Sequence, residues 1–184
     1  MEKNHELSIR KLLKDEKVNS FDCRDADLNE FILNESVLYR KALLAVSYVV
    51  EDLTNRQVLA YFSLANDRVS LSDFENKTEF NRFRKYRFVN EKRLKSYPAS
   101  KVCRLGVDIS AKGMRIGSYL IDFIKSYFLV DNKTGCRFLT VDAYADAISF
   151  YLKNGFIPLN DEDADAATRL LYFDLATIDD DDDD

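Results

Sequence analysis

Arg104-Leu-Gly-Val-Asp-Ile-Ser-Ala-Lys-Gly-Met-Arg-Ile-Gly-Ser-Tyr-Leu-Ile121 joins a β-forming run to a helix, and the turn between them decides the fold. Lys101 to Ile109 reads as a strand, and Gly106 inside it is a frequent mark of a bulge. From Met114 to Leu129 the apolar residues Ile116, Leu120, Phe123, Ile124 and Tyr127 recur at i, i+4, i+7, i+8 and i+11, the stripe of an amphipathic helix. A helix N-terminus exposes unpaired N–H groups and a partial positive charge, so it can hold phosphate. Gly113 permits a positive φ in the turn, Gly117 permits close approach of a ligand or backbone, and Lys112 and Arg115 add cationic side chains. Taken alone, such a turn is more often a plain connection than a phosphate cradle.

Outward from this stretch the pattern stays α/β. Ser8 to Leu13 reads as an edge strand. Asp22, Asp25 and Asp27 are suited to starting a helix whose apolar residues Leu28, Phe31, Ile32, Val37 and Leu38 run to about Ala42. Leu44 to Val50 and Gln57 to Leu64 form a hairpin of β-formers. Ser72 to Tyr86 is a helix or an irregular arm, and Pro98 breaks whatever precedes the next strand. Downstream, Arg137 to Ala143 is a strand, Asp146 to Asn154 a short helix closed by Gly155, and Arg169 to Leu175 the last strand. The order β-α-β-β-(α)-β-α-β-α-β gives a mixed sheet with helices on its faces.

At 184 residues, 46% of them apolar, the chain fits one domain over residues 1–178, followed by an acidic tail, 179–184, with the composition of a disordered segment. No 18-residue apolar run spans a membrane and no apolar signal core opens the chain, so a cytoplasmic protein is expected. Cys23, Cys103 and Cys136 are too widely spaced for a metal or disulfide pattern, and Cys103 and Cys136 read as buried, inert thiols. The net charge is −5, but removing the six acids of the tail from the 32 leaves the 27 basic residues one ahead. Seven of those lie between Arg82 and Lys95, interleaved with Phe83, Tyr86 and Phe88 and opposed by Glu91 alone. Phosphate contact with base stacking on RNA and a solvated surface helix are equal readings of that segment. Its charge also raises the hypothesis that the acidic tail screens it.

Two motifs in order sharpen the reading. The segment Arg104 to Ile121 resembles motif A of the GNAT superfamily, a strand ending in Val-Asp followed by Gln/Arg-x-x-Gly-x-Gly/Ala at a helix start. Ala147-Ile-Ser-Phe-Tyr-Leu-Lys-Asn-Gly-Phe resembles motif B of the same superfamily. The resemblance implies an α/β (α+β) fold with a mixed, mostly antiparallel central sheet of about six to seven strands and helices on both faces. It implies acetyl-CoA as co-substrate, no metal, and direct attack of a primary amine on the thioester. Leu105 and Val107 would offer main-chain groups to the pantetheine arm, and Lys112, Gly113, Met114, Arg115, Ile116, Gly117 and Ser118 would wrap the pyrophosphate.

Tyr151 falls where the superfamily commonly places the acid that protonates the departing thiolate; two core aromatics, Phe150 and Tyr151, are the plain alternative. Arg115 occupies the place of the first motif glycine, and its side chain either crowds the pyrophosphate or turns outward and pairs with a phosphate. Asp142 is a weaker candidate beside the expected cleft. Tyr144 stands where many relatives have Asn. The lone histidine, His5, reads as a surface residue rather than a base.

The acceptor is signalled elsewhere. Phe21-Asp-Cys-Arg-Asp-Ala-Asp-Leu-Asn-Glu-Phe, Arg104-Leu-Gly-Val-Asp and Phe150-Tyr-Leu-Lys-Asn-Gly-Phe-Ile-Pro-Leu-Asn are similar to the GNAT-type toxins of toxin–antitoxin pairs. That resemblance implies acetylation of the amino group of aminoacyl-tRNA, an antitoxin partner and a homodimer. Three functions follow: an N-acetyltransferase with an unspecified amine acceptor, a toxin acting on charged tRNA, and a CoA-binding or interaction module weakened by Arg115.

Overall fold

The computed structural model describes residues 6–130, 132, 134–161 and 166–179. His5 and residues 180–184 of the acidic run lie outside them, so the expectation for that histidine and for all of the tail but Asp179, which ends a short helix over Ala176–Asp179, falls outside the described residues. Strands β1 (Leu7–Lys11), β2 (Val46–Asp52), β3 (Gln57–Ser70), β4 (Ser96–Val107), β5 (Phe138–Tyr144), β6 (Ile157–Pro158) and β7 (Thr168–Asp174) form a seven-stranded sheet in the order β1-β2-β3-β4-β5-β7-β6. The pairs β1/β2, β2/β3, β5/β7 and β6/β7 are antiparallel, and β4/β5 is parallel. This mixed, mostly antiparallel sheet with its helices is the expected fold class. Among the described residues no helix is long and apolar enough to cross a membrane, and no cluster of side chains is suited to a metal ion.

The chain divides into two compact units: residues up to Ala65 with Val102–Ile124, and Asn66–Lys101 with the residues from Lys125 onward. In the first, Asp25 caps α1 (Ala26–Glu30) by accepting the Leu28 N–H at 2.9 Å. The helix passes through a π turn at Phe31–Glu35 into α2 (Ser36–Lys41). Phe31 and Ile32 are buried with Leu12, Val18, Phe21, Val49 and Tyr61. The Tyr61 hydroxyl donates to the Leu28 carbonyl at 2.7 Å, and burial pushes this phenol well above its usual range. Helix α4 (Ile116–Val130) buries Ile116, Leu120, Ile121 and Ile124. Its Phe123 ring lies 6.4 Å from Tyr48 and 6.0 Å from Phe62. Tyr127, expected on the buried stripe, is exposed, and Ile121 is buried in addition.

Gly106 has a packing reason. A Cβ built there would sit 2.9 Å from Tyr61 Cε1 and 3.2 Å from Phe21 Cζ, both buried rings. Neither ring can retreat from a close-packed core. Gly106→Ala is expected to cost about 1–3 kcal/mol of stability, read as a lower midpoint of thermal unfolding.

In the second unit, α3 (Lys77–Arg87) is capped by Asn76, which accepts the Thr78 and Glu79 N–H groups. Its Phe80 and Phe83 pack with Phe74, Tyr97, Phe138 and Tyr172. Pro98 does not break the chain before β4 but lies inside it, its carbonyl accepting the Arg137 N–H at 3.0 Å. The register of β4 with β5 runs from Ala99↔Phe138 to Lys101↔Thr140. Helix α5 (Ile148–Lys153) ends at Gly155, with φ 83°, the left-handed stop its sequence signals.

Candidate active site

The loop after β4 is built on one buried carboxylate. Asp108 accepts from the Asp22 N–H at 2.9 Å, from the Ser110 N–H at 2.9 Å and from the Ser110 hydroxyl at 2.6 Å. Burial pushes this carboxyl upward, but the three donated hydrogen bonds outweigh it and hold the group below its ordinary value. Gln57 adds a bond to the Ser110 hydroxyl at 2.9 Å, and the Asp108 N–H donates to the Leu59 carbonyl at 2.8 Å. This brace was not singled out from the sequence. Its signal was an Asp two residues before a Ser, the pattern of a side chain folding back on its own turn.

Beyond the brace, a 3₁₀ turn at Ile109–Ala111 leads to Gly113, with φ 89°, and Arg115, with φ 56°. Arg115 therefore cannot extend α4, which starts at Ile116 rather than at Met114. The ladder of α4 begins with the Tyr119 N–H donating to the Arg115 carbonyl at 3.2 Å. Helix geometry leaves the N–H groups of Ile116, Gly117 and Ser118 without intrahelical acceptors. Lys112, Gly113, Met114 and Arg115 are exposed, Gly117 and Ser118 half-buried, and Ile116 buried; Leu105 and Val107 are half-buried on β4. Among the described residues a Cβ at Gly113 would meet nothing within 4 Å, so the space beside that glycine is open. Free N–H groups, two cations and an open approach fit a pyrophosphate.

Arg115 sits in the one conformation where the motif's usual glycine is strain-free, at a cost of about 1–2 kcal/mol. Arg115→Gly is expected to raise thermal stability by about that amount while removing one cation, so affinity for acetyl-CoA should change by less than about tenfold. Calorimetric titration of both proteins measures it; a gain beyond tenfold would mean that the arginine crowds the ligand.

Tyr151 lies in the second unit. Its ring makes edge contacts with Phe150 and Phe156 at 5.1 and 5.4 Å, and burial pushes its pKa up to about 12. Its hydroxyl makes no hydrogen bond among the described residues and is not one of the buried atoms left unpaired, so the oxygen reaches the surface while the ring stays buried. Asp142 is engaged by Lys101 Nζ at 2.8 Å, and Lys101 lies 3.8 Å from Asp67. Tyr144 is exposed. Burial pushes the Cys136 thiol up to about 11, and its Sγ donates to the Phe138 carbonyl at 3.3 Å, as an inert thiol would.

The basic segment is less available than its composition suggests. Phe83 is buried, and Phe88 stacks on Tyr97 at 4.1 Å. Arg87 lies over the Phe83 ring, donates to the Tyr172 hydroxyl and approaches Asp174 at 3.6 Å. Arg84 donates to the carbonyls of Arg93 and Leu94, and Arg93 to that of Phe88. Tyr86 is the exposed member of the three aromatics, beside exposed Arg82, Lys85, Lys92 and Lys95. It borders two grooves of about 460 and 430 Å³ within this unit.

No family model and no curated protein matches the chain. Solved structures do. AtaT complexed with acetyl-methionyl-tRNAfMet superposes with a TM-score of 0.74 at 25% identity, over 94% of this chain and 97% of that one. The fold is that of the GNAT-type toxins. A tyrosine-to-phenylalanine mutant of KacT gives a TM-score of 0.75 at 22% identity, over 95% and 98% of the two chains. A tyrosine-to-phenylalanine mutant of the AtaT toxin, bound to the C-terminus of the antitoxin AtaR and acetyl-CoA, gives 0.67 at 25% identity, over 94% and 96%. The motif reading and the whole-chain fold thus converge on the same group of toxins.

Proposed function

We propose that the protein is an acetyl-CoA-dependent N-acetyltransferase whose acceptor is the amino group of aminoacyl-tRNA, acting in the cytoplasm with an antitoxin as partner. The observation that carries this is the braced Lys112–Ser118 loop, on a chain that superposes along 94% of its length on a toxin complexed with an acetylated aminoacyl-tRNA. Acetyl-CoA supplies the activated acetyl thioester. Main-chain groups of Leu105 and Val107 hold the pantetheine arm, and the N–H groups of Ile116, Gly117 and Ser118 bind the pyrophosphate at the open turn of Gly113, with the Met114 N–H held by the Ala111 carbonyl and with Lys112 and Arg115 neutralising the charge. Tyr151 holds a proton on its hydroxyl and gives it to the departing sulfur as the amine takes the acetyl group. An α-amino group titrates near about 8, so a sizeable neutral fraction reaches the site without a dedicated base.

Incubation with acetyl-CoA and charged tRNA, read as acetyl transfer to the aminoacyl end, tests the whole reading. Transfer to small amines but not to charged tRNA would leave the wider N-acetyltransferase. No thioester consumption with any amine would leave the CoA-binding module, and no acetyl-CoA binding at millimolar ligand would remove the main claim.

A further inference from the structure

Helix α2 closes on a turn that its sequence should not favour. The Leu43 N–H donates to the Arg40 carbonyl at 3.2 Å and the Leu44 N–H to that of Tyr39 at 2.9 Å. These are the paired bonds of a Schellman close, whose first residue past the helix takes a left-handed φ and is usually glycine. Here it is Leu43, with φ 58°, and it is 86% exposed, so burial returns nothing for the strain. Leu44 beside it is 62% exposed and Leu38, one turn back, 63%. Leu13, at 73%, is tied to the same helix end: the buried Arg40 guanidinium donates to the carbonyls of Leu13 and Glu16, and Lys41 pairs with Asp15 at 2.9 Å. A lone exposed leucine needs no explanation; four at one helix end, one of them on strained backbone, mark a surface that something else covers.

Charge says what. Lys11, Lys14 and Lys17 are exposed along the segment carrying Leu13 and make no ion-pair contact among the described residues, although Lys14 lies near enough to Asp15 to favour its charge. The nearby acids are occupied, Glu16 by Arg10 at 2.6 Å and Asp15 by Lys41. A second copy docked about a two-fold axis would set this lysine rim against itself. We propose that the surface binds an acidic amphipathic segment of a partner chain, its apolar residues on Leu13, Leu38, Leu43 and Leu44 and its carboxylates on Lys11, Lys14 and Lys17. Binding there requires neither acetyl-CoA nor tRNA.

The strain makes the test clean. Leu43→Gly removes a docking side chain while relieving the backbone, so the full-length variant should melt about 2–4 °C higher than the parent. The probe is a fluorescein-labelled helical peptide with leucines at i, i+3, i+4 and i+7 and glutamates elsewhere, followed by anisotropy. The parent should bind it with Kd on the order of 10 µM; Leu43→Gly should weaken it about tenfold or more, and Lys14→Glu with Lys17→Glu should do the same. The counterpart peptide with lysines in place of the glutamates should not bind. Unchanged affinity in Leu43→Gly, or equal binding of the lysine peptide, would overturn the proposal. So would a dimer in sedimentation, or co-pelleting with phosphatidylcholine–phosphatidylserine vesicles, that Leu43→Gly abolishes.

Discussion

Tyr151→Phe is expected to lower kcat by about 10²-fold and to leave the affinity for acetyl-CoA essentially unchanged. The substitution removes one oxygen that has no protein partner among the described residues and keeps the ring contacts with Phe150 and Phe156. Stability should therefore hold. The magnitude follows from acidity. With its pKa near 12 the phenol stays protonated throughout the working range, but it is a weaker acid than a thiol, ordinarily about 8.5. Proton donation to the departing sulfur is thus uphill even when the carbon–sulfur bond is fully broken, which places the gain at the low end of the 10²–10⁴ range. The proton balance closes when Tyr151 regains the proton that the acylated nitrogen sheds. Turnover should rise with pH as the acceptor amine loses its proton, then stay level until the phenol ionises near 12. Steady-state rates against pH, with single-turnover transfer to charged tRNA, measure both. Parental turnover in the phenylalanine variant would dismiss the role.

The stretch from Arg104 to Phe156 was legible because its signals are local: the period of α4, the glycine stop of α5, and a strand of β-formers between them. Less local determinants were not. Strand β3 runs on past Leu64 through Asn66, Asp67 and Arg68, whose polarity argues for a loop. Asp67, which accepts from Thr140, shows how distant pairing sustains it. Strand β6 is two residues long, too short for any period to register. Helix α3 was legible only as a helix or an irregular arm, and which of its neighbouring aromatics would face RNA was not legible, because Phe83 and Phe88 are claimed by a core assembled from distant segments. The left-handed Leu43 and Arg115 were hidden for another reason. Neither residue type favours positive φ, so only the surrounding bonds reveal it. The motif's usual glycine did hint at Arg115, as a question about its side chain; the answer lies first in its backbone.

Asp108→Asn should lower the stability of the protein by about 2 kcal/mol, a drop of about 4–8 °C in Tm for a chain of this length. The carboxylate takes three donors, from Asp22 N–H, Ser110 N–H and the Ser110 hydroxyl. An amide offers one acceptor oxygen and turns an NH₂ toward a donor, leaving at least one part-buried donor without this partner. The direction with pH follows from the depressed carboxyl. A group whose folded-state pKa lies below its unfolded value stabilises fully above the unfolded value, near 3.9, and loses that contribution as pH falls through the folded one. The gap in stability between the parent and Asp108→Asn should therefore be constant from about pH 5 to 8 and close below about pH 4, where the protonated carboxyl resembles the amide. Denaturant titrations at several pH values measure it. Because the same carboxylate fixes where the Lys112–Ser118 loop begins, the variant should also raise KM for acetyl-CoA, whereas Tyr151→Phe acts on kcat. A gap that stays constant down to pH 3, or a variant with parental KM, would separate the brace from the loop it is proposed to hold.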